Sequence, residues 1–168
     1  MIRVVVDDLA FVRADAVVRP TTALLEPVSP ALRRLEQVGG PSFWGQLEKT
    51  TRLAVGAAVV TAGGELPAEF VIHAVTRSED EPVTGVGVRR AILSVIQRAA
   101  DWELQSLAFP LLGTGPGNLE PEDAARVLVD ALTDTVGRVP YPHDVTIVVE
   151  SDAERTAVEA CLRSRTTS

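Results

Sequence analysis

The 168-residue sequence predicts an α/β domain in which helices cover both faces of a central sheet, a three-layer α/β/α sandwich. Three observations carry that expectation. Short runs rich in β-branched residues alternate with segments whose apolar residues recur at helical spacing. Several of the short runs are apolar at successive positions, as strands buried on both faces are, instead of alternating with polar residues. A glycine-rich loop then joins an apolar strand to a helix at residues 107–121.

Taken in order, strands are expected at residues 2–6, 16–18, 57–61, 70–75, 106–109 and 145–150. Helices are expected at 30–38, 42–50, 86–101, 121–136 and 152–163. Ser42 after Pro41, and Ser151 with Asp152, have the chemistry of helix N-caps, because a short side-chain oxygen can accept from the unpaired N–H groups of a first turn. Pro121 followed by Glu122 and Asp123 suits a helix start, where a missing N–H does no harm and acidic groups meet the positive end of the dipole. Residues 78–84 are polar and contain proline, so they read as a surface loop, and residues 163–168 read as a fraying tail. No repeat or linker divides the chain, so residues 1–168 are expected to form one domain.

Composition excludes several function classes. Hydrophobic residues make up 46% of the chain and the mean hydropathy is +0.17, enough apolar material for a substantial core. The longest apolar runs fall far short of the roughly 18 residues needed to span a bilayer. The opening residues lack the charged, apolar and small-residue regions of a secretory signal, so a soluble, cytoplasmic protein with no membrane partner is expected. Cys161 is the single cysteine, which precludes an internal disulfide and a thiolate cluster and makes it a small packing residue of the last helix. His73 and His143 lack metal-pair spacing, so neither a metal nor another cofactor is expected. A net charge of −7 disfavours nonspecific nucleic-acid binding, which depends on Lys and Arg gripping phosphates.

The loop Gly113-Thr114-Gly115-Pro116-Gly117-Asn118 is the strongest candidate for chemistry. Glycines let the backbone approach a ligand closely, so consecutive N–H groups can converge on an anion, although glycines also serve ordinary chain reversals. A dinucleotide fingerprint would place a third glycine where Asn118 stands and more parallel strands downstream. No Gly-Lys-Ser/Thr follows the glycines, as a P-loop requires, and no Gly-x-Ser-x-Gly elbow marks a serine hydrolase.

Three segments together resemble the macro domain family over nearly the whole chain. Residues 2–9, ending in Asp7-Asp8-Leu9, with residues 14–18, resemble the family's first strand, its turn and the strand that carries its signature. Residues 55–75 resemble its central hairpin, and residues 106–119 its strand and second phosphate loop. The resemblance implies a central mixed sheet of six to seven strands and a site for ADP-ribose in a cleft at the strand ends. Asp8 matches the family's adenine-reading aspartate, Leu9 a residue whose backbone borders the base, and Gly113, Thr114, Gly115 and Gly117 the loop around the diphosphate and distal ribose. Physically, a carboxylate accepts from the exocyclic amine of the base, a charge-assisted bond worth roughly 1.5–3 kcal/mol.

The chain also departs from the family. The signature Asn-Ala-Ala-Asn is replaced by Arg19-Pro20-Thr21-Thr22, and Thr22 has no carboxamide to serve as donor and acceptor at the catalytic position. The glycines of the first phosphate loop are replaced by a segment with Glu26, Pro27 and Pro30, which lacks donors and adds negative charge. Pro116 removes a further N–H from the second loop. Arg19 is the candidate to compensate by gripping phosphate, whereas Arg34 reads as a solvated helix residue. The expected ligand-binding set is therefore Asp8, Leu9, Arg19, Thr22, Gly113, Thr114, Gly115, Pro116, Gly117 and Asn118, with no catalytic residue assigned. The leading function is binding of ADP-ribose or a related nucleotide or phosphoester without asparagine-dependent hydrolysis, an ADP-ribosylated protein being a further candidate partner. The alternatives are an ADP-ribosyl or O-acyl-ADP-ribose hydrolase and a degenerate domain acting as a scaffold.

Overall fold

The computed structural model describes residues 1–47, 52–115 and 118–166. Six strands, β1 (Ile2–Val6), β2 (Ala16–Thr22), β3 (Ala58–Ala62), β4 (Phe70–Arg77), β5 (Ser106–Phe109) and β6 (Asp144–Val149), form one sheet in the order β1-β6-β5-β2-β4-β3. All neighbouring pairs are parallel except the β3–β4 hairpin, which makes the sheet mixed. Among the described residues, four α-helices flank it: α1 (Pro30–Leu47), α2 (Gly85–Asp101), α3 (Pro121–Thr135) and α4 (Asp152–Thr166).

The two-sided apolarity of the strands has the expected cause. Ala16, Val18, Ile72, Phe109 and Ile147 face a core completed by α2, α3 and α4, whereas Val17, Val71, Ala108 and Val148 face Leu32 and Leu35 of α1 on the other side. Alternate residues of one strand thus enter different cores, and the polar side chains that β2 and β4 carry, Arg19, Thr21, His73 and Thr76, are buried with them.

Most expected boundaries lie within a few residues of the observed ones, and the differences have physical reasons. Strand β2 runs to Thr22, four residues beyond expectation, because β4 supplies parallel partners along its whole length. The two helices expected at 30–38 and 42–50 are the two arms of α1, which bends at Gly40 (φ 78°, ψ −174°) where Pro41 removes an N–H. Ser42 as a cap and the end of the second arm lie outside the residues whose side chains are described. Helix α4 continues to Thr166, three residues beyond the expected end, and there Arg165 pairs with Asp130 and Asp134 of α3. Ser151 does cap α4, its Oγ accepting from Glu154 N at 3.2 Å, and Glu154 Oε1 in return accepts from Glu150 N at 2.9 Å. Among the described residues no helix is long and apolar enough to cross a membrane, and no group of His, Cys, Asp and Glu could hold a metal ion.

Candidate functional site

The carboxyl ends of β1, β6, β5 and β2 all point to one edge of the sheet, where open parallel sheets take their ligands. The β2–β5 ladder stops at Val17 and Ala108. Beyond it stand Pro20, with no N–H to offer a neighbouring strand, and Pro110, so the two strands part. The gap is a cavity of about 350 Å³. Its walls come from the end of β1 (Asp7, Asp8, Leu9), the start of α1 (Ser29, Ala31, Arg34), the glycine loop (Gly113, Thr114) and the end of β6 (Val149, Glu150).

Asp8 caps a short 3-10 turn, Leu9–Phe11, its Oδ1 accepting from Ala10 N at 3.0 Å, so it serves both as the turn acid and as a wall of the cavity. Its Oδ2 lies 3.0 Å from Arg34 Nε. Arg34 is therefore not the simple solvated helix residue expected: the first turn of α1 leans over the cavity and brings the guanidinium to the aspartate. Gly113 adopts φ 87°, and a Cβ there would lie 2.8 Å from Val88 Cγ2, so only glycine fits this turn without a shift. Among the described residues, the N–H groups of Gly113 and Thr114 have no protein acceptor and remain available to a ligand. Gly115 (φ 127°) continues the loop, and Pro116 and Gly117 lie outside the described residues.

Thr22 and Asn118 belong to a second cavity of about 420 Å³, on the far side of the two loops, with Leu24, Glu26, Arg52 and Arg77 also on its walls. Thr22 has a structural task there. Its Oγ1 accepts from Leu24 N at 3.3 Å and Glu26 N at 3.2 Å, and its backbone N–H donates to Glu26 O. The opening of the segment that replaces the first phosphate loop is thus folded upon Thr22, and the amides of Thr22, Leu24, Leu25 and Glu26 are bonded inside the protein. Asn118 Nδ2 donates to Thr114 O at 3.4 Å, bracing the glycine loop.

Arg19 does not reach the cleft. It is fully buried on the α1 side of the sheet, where Nη2 donates to Leu25 O at 2.9 Å and pairs with Glu36 of α1, and Nη1 lies 3.2 Å from His73 Nδ1. Alternation along β2 puts Arg19 on the same side as Val17, under α1, and there Leu25 O, His73 and Glu36 hold the guanidinium between sheet and helix, off the wall of the cavity. A guanidinium carries only donors, so His73 Nδ1 must accept. The imidazole proton is then on Nε2, which donates to Thr61 Oγ1 at 2.8 Å, and that hydroxyl donates to Ala62 O at 3.3 Å. Burial, together with the Arg19 charge, holds His73 down to about 3, so it stays neutral at ordinary pH. Burial also lowers the Arg19 guanidinium below its usual value, and Glu36 acts in the opposite direction. Leu25, in the left-handed region at φ 62°, is held there by this anchor and by its own N–H bond to Thr22 O.

The structure therefore brings Asp8, Leu9, Gly113 and Thr114 together in one cavity, places Thr22 and Asn118 in the next, and withdraws Arg19. Sequence reasoning missed Arg34 and the end of β6. The opposite charges of Asp8 and Arg34 were visible, but nothing in a single sequence says that residues 26 apart are paired.

Comparison with known proteins agrees with this architecture. A family model described as the macro domain matches residues 29–128. A protein from Aeropyrum pernix of unassigned function is 31% identical over 157 residues, covering 93% of this chain and 82% of its own length. An Enterobacter protein named O-acetyl-ADP-ribose deacetylase is 30% identical over 154 residues, covering 88% and 85% respectively. This chain spans only 43% of the length of a Mycobacterium tuberculosis relative with which it is 27% identical. Among solved structures, a mutant Oceanobacillus iheyensis macrodomain with ADPR superposes at a TM-score of 0.88, with 18% identity, over 98% of this chain and 93% of that one. The sheet order, the cleft at the strand ends and these matches lead to one conclusion: the chain belongs to the macro domain family.

Proposed function

We propose that the cleft binds ADP-ribose or a related nucleotide or phosphoester, and that it does so without the family's asparagine-dependent hydrolysis. The observation that carries this reading is the convergence of Asp8, an acceptor for a base amine, with the unpaired N–H groups of Gly113 and Thr114 across one cavity. A base at Asp8 directs the rest of the ligand toward the glycine loop, where backbone donors can meet phosphate oxygens. The second cavity, beyond that loop, would take the distal ribose and whatever is attached to it.

The first loop offers the diphosphate few donors, among the described residues the N–H groups of Ser29 and Ala31 at the start of α1. The N–H groups of Thr22, Leu24, Leu25 and Glu26 are bonded internally, Pro27 and Pro30 have none, and Glu26 carries the wrong charge. Loss of one charge-assisted bond of about 1.4 kcal/mol weakens binding about tenfold, so an affinity below that of a ligand site with both loops intact is expected. Thr22 spends its oxygen lone pairs on two amides and lacks a carboxamide, which argues against catalysis of the asparagine type.

Calorimetric titration with ADP-ribose, beside an Asp8→Ala variant, tests the reading. Binding by the wild type, weakened tenfold or more in the variant, is the expected result; no heat at millimolar ligand would sink it. The Enterobacter relative's name keeps a hydrolase as the second reading. Turnover of O-acetyl-ADP-ribose or of a mono-ADP-ribosylated protein by the wild type would establish that alternative.

A further inference from the structure

We infer that Arg34 is a second base-contacting residue of the cleft, its guanidinium lying against the purine whose amine Asp8 accepts; this rests on the nucleotide reading above. Asp8 Oδ1 is engaged by Ala10 N, so an incoming amine is offered chiefly Oδ2, the oxygen already 3.0 Å from Arg34 Nε. Two nitrogens each about 3 Å from one carboxylate oxygen, and separated by its lone-pair angle, stand about 5 Å apart. That spacing sets the guanidinium beside the amine, and rotation of the half-exposed Arg34 side chain about its contact with Asp8 can bring the guanidinium plane onto the purine ring.

The lining of the cavity supports that role. Among the described residues it contains no aromatic ring to stack on a base, and Arg34 is its one basic side chain, facing Asp7, Asp8, Glu150 and Glu154. Asp8 is the one protein partner of the guanidinium among the described residues, so the Nη atoms are free to meet a ligand. A guanidinium is flat, weakly hydrated and stacks on nucleobases, which an ammonium does not. It would supply both the missing ring face and the only positive charge near an otherwise acidic wall.

The competing role is a latch, in which Arg34 merely occupies Asp8 and must be displaced, and the two roles predict opposite signs. Arg34 is about half exposed (54%), so its variants are expected to fold, which thermal unfolding checks. Arg34→Ala and Arg34→Lys would be titrated with ADP-ribose and, by NMR at millimolar concentration, with adenosine, which has no phosphate. Arg34→Ala is expected to weaken both ligands about tenfold or more, and Arg34→Lys not to restore either. Unchanged or tighter binding in Arg34→Ala, recovery to within threefold by Arg34→Lys, or a loss confined to ADP-ribose would each overturn the inference. A wild type silent toward both ligands brings down the nucleotide reading itself, and Arg34's role with it; a wild type that binds as Arg34→Ala does refutes the Arg34 role alone.

Discussion

Replacing Arg19 by methionine removes the one cation buried on the α1 side of the core among the described residues while keeping most of its aliphatic volume. Two acceptors are then stranded: Leu25 O, 2.9 Å from Nη2, and His73 Nδ1, 3.2 Å from Nη1. Each buried group left without its donor costs about 1–3 kcal/mol. Glu36 also loses its cation, but its side chain retains 18% exposure and can turn toward water, so its loss counts less. A total near 3 kcal/mol follows, at the low end of what breaking a buried pair does. For a domain of this size each kcal/mol moves Tm by roughly 2–4 °C, which predicts a fall of roughly 6–12 °C in thermal unfolding. The double variant Arg19→Met, Glu36→Met leaves no uncompensated charge and should recover part of that fall. A single-variant shift under 2 °C, or a double variant worse than the sum of the two single ones, would refute the view that Arg19 anchors the loop at Leu25 and shows no role in the cleft.

Three further outcomes are expected. His73 is held down to about 3, below its unfolded value near 6.5, so the unfolded chain binds the extra proton as pH falls and stability is lost below about pH 6.5. Urea denaturation at pH 7 and pH 5 should show about 2 kcal/mol more loss in the wild type than in His73→Gln; equal losses would count against the assignment. Gly113→Ala must place a Cβ 2.8 Å from Val88 Cγ2 at φ 87°, so a loss of about 1–3 kcal/mol in chemical denaturation, together with weaker ADP-ribose binding, is expected. Thr22→Ala removes the acceptor of Leu24 N and Glu26 N, so hydrogen exchange at those two amides should accelerate while global stability falls by about 1 kcal/mol; unchanged protection would show that the loop holds without the hydroxyl.

Much of the fold was legible because it depends on local chemistry. Uninterrupted apolar runs such as Val71-Ile72 and Ile147-Val148 can be satisfied only between two layers, and the observed sheet gives each alternate residue its own core. Gly113 stood out because few residues besides glycine tolerate its backbone conformation, and the acid at Asp8 stood out by its place after an apolar strand. The helix bend at Gly40-Pro41 was likewise written into the backbone chemistry of those two residues.

The side chains that define the cleft were not legible in the same way. Arg19 appeared suited to a phosphate because it replaces a signature residue at a strand end, yet Glu36, His73 and Leu25 O hold it between the sheet and α1, off the cavity wall. Arg34 appeared to be a solvated helix residue until the packing angle of α1 set it 3.0 Å from Asp8. Thr22 stands in the second cavity, its oxygen taken by the loop that curls over it. The sequence by itself determined which segments become strands, which loop is open to an anion and which family the pattern resembles, because these follow from periodicity and backbone permissiveness within a short stretch. Only the tertiary structure decided which charges meet and which are buried. Such pairings depend on the register, twist and helix placement that bring residues distant in the chain within hydrogen-bond reach, and no local rule encodes them.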